Sequence, residues 1–130
     1  MTDRVLLERA AEAMKNSYSP YSRFPVGAAL ECSDGTVFTG CNIENVALGC
    51  TICAERAAVA SAVSSGRRDF KKIAITSTGD DYCYPCGTCR QVLLEFAPHI
   101  EVLCARGDGR YVSYPLNSLL SHSFGPEHLD

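Results

Sequence analysis

Two short stretches hold the residues of this chain best suited to chemistry. Cys53-Ala54-Glu55 and Pro85-Cys86-Gly87-Thr88-Cys89 offer three cysteines and a glutamate to a single centre, provided the elements that carry them are neighbours. A thiolate is the form of cysteine that binds zinc, and a helix N-terminus favours it through free amides and the positive end of the dipole. Cys86 and Cys89 stand at i and i+3, on one face of a helix that begins there. Three protein ligands leave a tetrahedral zinc one position for water, which is the catalytic rather than the structural pattern. Eight cysteines are present in all, at positions 32, 41, 50, 53, 83, 86, 89 and 104. Cys50 precedes Cys53, and Cys83 precedes Cys86, at the same C-x-x-C spacing. Spacing alone therefore leaves open a closed four-cysteine structural site, and also a redox dithiol.

Glu55 favours the catalytic alternative. It falls in the first turn of the helix that Cys53 opens, close enough to reach a water on the metal and poorly placed to chelate beside Cys53. A first-turn glutamate is ordinarily a surface residue that complements the helix dipole. Next to this cysteine set it matches the zinc nucleobase deaminase signature, H-x-E…P-C-x-x-C with cysteine admitted in place of histidine, in which the glutamate moves protons.

Such a site needs elements to position it. Val5, Leu6, Ala10, Ala13 and Met14 recur at near-helical spacing and predict an amphipathic helix over 3–16. VGAALEC (26–32) and TVFTGCN (36–42) flank Ser33-Asp34-Gly35, a strong hairpin signal. Residues 53–66 predict an alanine-rich helix, apolar on more than one face, with Gly66 at its C-terminal cap. Residues 71–78 read as a buried strand. Pro85 and Pro98 bracket a second helix over 86–96, and strands follow over 99–105 and 111–116 before a brief helical turn and a polar tail. This order predicts one α/β domain over 1–130, a three-layer α/β/α sandwich around a mixed five-stranded sheet. The sheet should be largely parallel apart from the initial hairpin. Both central helices then start at the carboxyl ends of strands, where ligands of open α/β sheets collect. Asn42 and Glu44 close the hairpin's second strand as an i, i+2 pair that projects from one face, with Ile43 on the other.

Composition excludes some classes. A net charge of −3 leaves no electrostatic footprint for nucleic acid, whose phosphates require clustered Lys and Arg. Arg67, Arg68, Lys71 and Lys72 form the one dense basic patch and read as solvated loop surface. No apolar run is long enough to span a membrane. Charges at Asp3, Arg4, Glu8, Arg9 and Glu12 interrupt any secretory signal, so a cytoplasmic location with reduced thiols is expected.

YSRFPVGAAL (21–30), GCNIEN (40–45), CAERAAV (53–59) and PCGTCRQVLLE (85–95), with Phe124 in the tail, extend the pattern over essentially the whole chain. The sequence resembles a cytidine deaminase of the short, homotetrameric, three-cysteine type. The resemblance implies one zinc per chain on Cys53, Cys86 and Cys89. It implies hydrolysis of cytidine and 2′-deoxycytidine to uridine and 2′-deoxyuridine plus ammonia in pyrimidine salvage, with zinc-bound hydroxide attacking C4 and Glu55 shuttling protons. It also implies that Asn42 and Glu44 hold the ribose hydroxyls and that Phe24 lines the pyrimidine pocket. Backbone groups at Ala54 and Tyr84 would orient the base and its leaving amine. Arg56 would donate to the ligand sulfurs, assisted by Arg90. Phe124 would stack on the pyrimidine bound by a neighbouring subunit, making the active sites composite. In one departure, Leu48 stands where family members commonly carry an aromatic residue, so no cross-subunit contact is carried over to it. Nucleoside-antibiotic deaminases of the blasticidin type share the zinc motifs, but the intact Asn42-Ile43-Glu44-Asn45 stretch argues against that reading.

Overall fold

In the computed structural model, which describes residues 1–129, helix α1 (Asp3–Met14) begins where the Thr2 hydroxyl accepts a hydrogen bond from Val5 N at 3.2 Å. Strands β1 (Val26–Cys32) and β2 (Val37–Cys41) follow as a hairpin, its turn eased by Gly35 at φ 89°. Helix α2 (Ala54–Ser64), strand β3 (Phe70–Ser77), helix α3 (Gly87–Phe96), strands β4 (Glu101–Ala105) and β5 (Tyr111–Pro115), and a single helical turn α4 (Leu116–Leu119) complete the main elements. The five strands form one sheet in the order β2-β1-β3-β4-β5.

That sheet is mixed, as expected, but less parallel than the alternation of strands and helices suggested. Only β3 and β4 pair in parallel; β1 is antiparallel to both of its neighbours, and β5 is antiparallel to β4. The crossover through α2 accounts for the difference. It carries the chain from β2 to β3 over the top of β1, so two strands that point the same way are not adjacent. The β4–β5 connection is a tight turn closed by Arg106 N donating to Arg110 O at 2.7 Å, and a link that short can only join antiparallel strands.

Side chains alternate between the two faces of the sheet. Ala29, Ala74 and Leu103 meet Leu6, Leu7 and Ala10 of α1 on one side. Ala28, Leu30, Ile73, Ile75, Val102 and Cys104 meet α2 and α3 on the other, giving the three layers. Glycines set how closely the helices lie. A Cβ at Gly27 would come within 2.0 Å of Ala10 O in α1, and one at Gly40 within 2.5 Å of Ala54 O in α2. Backbone thus rests directly on backbone where α2 begins. In the single chain Ala60 and Ser61 of α2 face outward, exposed. No helix among the described residues is long and apolar enough to cross a membrane.

Candidate active site

The two central helices each begin at a cysteine. Cys53 and Cys86 are the N-cap residues of α2 and α3, in extended backbone, and neither spends its side chain on capping. Cys89 follows in the first turn of α3 and is fully buried. Because α2 and α3 lie on the same face of the sheet, their starts converge. The Sγ atoms of Cys53 and Cys86 are 3.7 Å apart and those of Cys86 and Cys89 are 3.4 Å apart, with all three within 4.8 Å of one another. Sulfurs on a tetrahedral zinc with bonds of about 2.3 Å would be spaced by about 3.8 Å, so the donor set fits one such ion. Among the described residues no fourth cysteine joins this group: Cys50 is exposed on the loop before α2, and Cys83 is buried to one side. All eight thiols are free.

Electrostatics distinguish Cys53 from Cys89 even without a metal. The cluster keeps its first negative charge on Cys53, whose pKa is brought down to about 5, chiefly by the hydrogen bond from Cys89 and then by Arg56 and Cys86. Cys89 is driven the other way by the same interaction and by burial. The Arg56 guanidinium reaches Cys53 Sγ at 3.5 Å and Thr51 O at 3.2 Å. Glu55 lies beside the cluster at 4 % exposure. Burial raises its pKa to about 7, and the charge on Cys53 pushes in the same direction. Burial likewise lifts Cys83 to about 11, so that thiol stays protonated and inert.

A second group of residues gathers around the hairpin's end. Ile43 bridges Tyr18 on one side and Ile52 on the other, which draws the end of β2 towards the loop that leads to Cys53. Ile43 is exposed, whereas Asn42 is buried and Glu44 half-buried, as the i, i+2 pattern requires. Asn42 Oδ1 accepts from Ser17 Oγ at 2.5 Å and from Val26 N at 2.9 Å, while its Nδ2 donates to Phe24 O at 2.9 Å. One amide hydrogen is left, so Asn42 can offer a ligand only a donor. The Glu44 carboxylate accepts from Tyr21 N at 2.9 Å, from Ser22 N at 3.0 Å and from the Ser22 hydroxyl. The hydroxyl is the main reason its pKa lies below the usual carboxylate value. The Phe24 ring packs over Gly79, where a Cβ would stand 3.2 Å from Cε1.

Residues 1–105 match the sequence model of the cytidine and deoxycytidylate deaminase zinc-binding region. The chain belongs to the cytidine deaminase family. A cytidine deaminase of Halalkalibacterium halodurans is 40 % identical over 131 residues, spanning 100 % of this chain and 99 % of that protein. One from Sporosarcina psychrophila is 50 % identical over 91 residues, covering 70 % of this chain and 67 % of its own length. The crystal structure of cytidine deaminase from Burkholderia pseudomallei superposes with a TM-score of 0.93 at 42 % identity, covering 95 % of this chain and 100 % of that one.

The remaining expected positions of this cytidine deaminase chain are distributed unevenly. Ala54 is buried as the first residue of α2, immediately after Cys53. Tyr84 is exposed on the loop into α3, with its ring 6.3 Å from that of Tyr114. Phe124 is 58 % exposed and stacks on His128 at 5.4 Å, and its carbonyl accepts a hydrogen bond from Gln91 Nε2 at 2.7 Å. Arg90 does not share the role expected beside Arg56. Its Nε donates to Pro85 O at 2.8 Å and its Nη1 to Leu119 O at 2.5 Å, so it ties the ligand loop to the C-terminal segment and makes no bond to sulfur. One step along a helix turns a side chain by about 100°, which is why adjacency to Cys89 does not bring Arg90 to the sulfurs. Ser17, Ser22, Thr51, Gly79 and Gln91 show no role by residue type, although Ser22 and Gln91 fall within the segments that carry the family resemblance. All five act through partners distant in sequence or through backbone atoms, and only the polar stretch SYSPYSRFP (17–25), too rich in hydroxyls for a mere connector, hints at two of them.

Proposed function

We propose that the chain is a zinc-dependent deaminase that converts cytidine and 2′-deoxycytidine to uridine and 2′-deoxyuridine with release of ammonia, serving pyrimidine salvage in the cytoplasm as a single catalytic domain. The observation that carries this reading is the buried Glu55 beside three sulfurs spaced for one tetrahedral ion, in a chain of this family. Cys53, Cys86 and Cys89 would hold the zinc, which when bound supplies Lewis-acid activation of a water. Arg56 withdraws charge from Cys53, offsetting the electron richness of three thiolates.

Glu55 handles the protons. With a pKa brought close to neutrality by burial, it can both take and give one at working pH. It accepts a proton from the attacking water and delivers it to N3 of the base as the new C4–O bond forms. It then takes the second proton and delivers it to the amine as the C4–N4 bond breaks, so water is consumed and ammonia leaves. Asn42 donates to the sugar and Glu44 accepts from its 3′-hydroxyl. Phe24 lines the base, and backbone groups of Ala54 and Tyr84 orient the amide edge and the leaving amine.

The exposed apolar residues Ile43, Val46, Leu48 and Ile52, close to the site in sequence and by backbone pairing, support a homotetramer with composite sites. Phe124, exposed and anchored at its backbone, suits insertion into a neighbouring subunit's pocket. A Glu44 that accepts from the 3′-hydroxyl excludes polynucleotides, because a 3′-phosphate removes the donor and sets like charges together. The test is kcat/KM for cytidine, cytosine and a short single-stranded oligonucleotide, read by absorbance, with zinc quantified in the same preparation. Cytidine should exceed the other two by ~10⁴ or more. Comparable values for the oligonucleotide, or turnover without zinc, would reject the proposal.

A further inference from the structure

Residues 17–25 form neither helix nor named strand, yet they supply every hydrogen-bond partner found for the Glu44 side chain. Two backbone amides, of Tyr21 and Ser22, fill Oε1. A carboxylate oxygen accepts about two hydrogen bonds, so Oε1 has no room for a ligand. Oε2 takes only the Ser22 hydroxyl and keeps one acceptor position. The hydroxyl's single hydrogen is committed to that bond, and its oxygen in turn accepts from Phe24 N at 3.0 Å. The carbonyl of Phe24 is held from the other side by Asn42 Nδ2 at 2.9 Å. One small side chain thus sits between the sugar-binding carboxylate and the backbone of the residue that lines the base.

The loop adopts an uncommon conformation to achieve this. Arg23 has φ 56°, in the left-handed region that non-glycine residues seldom occupy, and its amide closes a turn on Ser19 O at 2.9 Å. That turn lets Ser22 and Phe24 direct a hydroxyl and an amide at one another, two residues apart.

We infer that Ser22 is a positioning residue for the sugar: its hydroxyl fixes Glu44 with Oε2 as the atom that receives the substrate's 3′-hydroxyl, and it holds Phe24 in register with that contact. The ligand class this selects is a nucleoside with a free 3′-hydroxyl. The inference rests on the assignment of Glu44 to that hydroxyl, and the test separates the two.

Wild type, Ser22→Ala, Ser22→Thr and Glu44→Ala are assayed with cytidine and with 3′-deoxycytidine, and binding of the products uridine and 3′-deoxyuridine is measured by calorimetry. Ser22→Ala should lose about tenfold or more in kcat/KM for cytidine, mostly through KM, and weaken uridine binding similarly, as expected when a charge-assisted hydrogen bond is removed. With 3′-deoxycytidine and 3′-deoxyuridine, which lack the group that Oε2 receives, the same variant should change by less than about threefold. Ser22→Thr should keep the hydroxyl and restore the cytidine values. Equal losses on both substrates for Ser22→Ala, with Glu44→Ala still losing far more on cytidine than on 3′-deoxycytidine, would reduce Ser22 to a structural residue and overturn the inference. If Glu44→Ala instead loses equally on both substrates, so that the wild-type preference for a 3′-hydroxyl survives it, the assignment of Glu44 falls and the inference with it. Should Ser22→Ala not fold, Ser22→Cys, of similar shape and weaker as a donor, takes its place on the same substrates: a loss confined to cytidine and uridine supports the inference, and an equal loss on both substrates overturns it.

Discussion

Glu55→Gln separates what the carboxylate does for chemistry from what it costs the fold. The substitution keeps size and shape and removes only the titrating group. In the metal-free protein the wild-type pKa stands at about 7 against an ordinary 4.5, because the carboxyl is buried. That rise corresponds to about 3 kcal/mol of native-state destabilisation when the group ionises. The sign follows from proton counts. Below pH 4.5 the carboxyl is protonated in both folded and unfolded chains and costs nothing. Between 4.5 and 7 the folded state binds the extra proton, so stability declines as pH rises, and above 7 the full penalty is present. In the presence of a chelator, Glu55→Gln should therefore be more stable than wild type by about 3 kcal/mol at about pH 8.5, and the advantage should vanish by about pH 4.5. Urea unfolding at a series of pH values measures it, provided the slopes agree between the two proteins. The zinc-loaded variant should meanwhile retain its metal and lose ~10²- to 10⁴-fold or more in turnover, the range for one acid/base role. A stability difference that does not change with pH would show that burial does not hold this carboxyl protonated. Turnover within about tenfold of wild type would remove Glu55 from the proton path.

Cys53→Ala, Cys86→Ala and Cys89→Ala should each lose zinc, while Cys50→Ser and Cys83→Ser keep one ion per chain by elemental analysis; loss of metal in either serine variant would bring back a four-cysteine site. If the chain forms the proposed homotetramer and Phe124 serves a neighbour's site, mixing Phe124→Ala with Glu55→Gln chains should recover activity in the hybrids, and no recovery in demonstrated hybrids would count against that role. Gly40→Ala, which places a Cβ 2.5 Å from Ala54 O, should push the start of α2 outward, cost about 1–3 kcal/mol and lower zinc affinity. Unchanged Tm and metal content would mean that the helix start yields without consequence.

The metal cluster is legible in the sequence because its information is local. Cysteines at the starts of two predicted helices and a glutamate in a first turn fix their own geometry once the helices are neighbours. The sheet is less legible, since alternation of strands and helices does not say that the α2 crossover passes over β1, and strand direction depends on that step. Arg56 and Arg90 look alike beside their ligands, yet one reaches sulfur and the other two carbonyls, a distinction set by helical phase and by where the C-terminal segment returns. Ser22 is legible only as part of the family-like segment 21–30: a serine in a turn-rich stretch is common and its partner Glu44 lies 22 positions away, so its role does not show in the sequence.

The direct seating of backbone on backbone at Gly40 bears on how such an enzyme can diverge. A contact made almost wholly by backbone, joined only by the Ala57 Cβ, gives substitution little to adjust short of displacing the helix, so the start of α2, and with it Cys53, is held close to one position. The end of the pocket proposed to take the sugar has the opposite construction, assembled from hydroxyl and amide bonds on the segment 17–25 and the end of the hairpin. On that assignment, drift there would alter which sugars are accepted while the reacting centre keeps its spacing. The two ends of the pocket are thus free to evolve at different rates, with the metal end the slower.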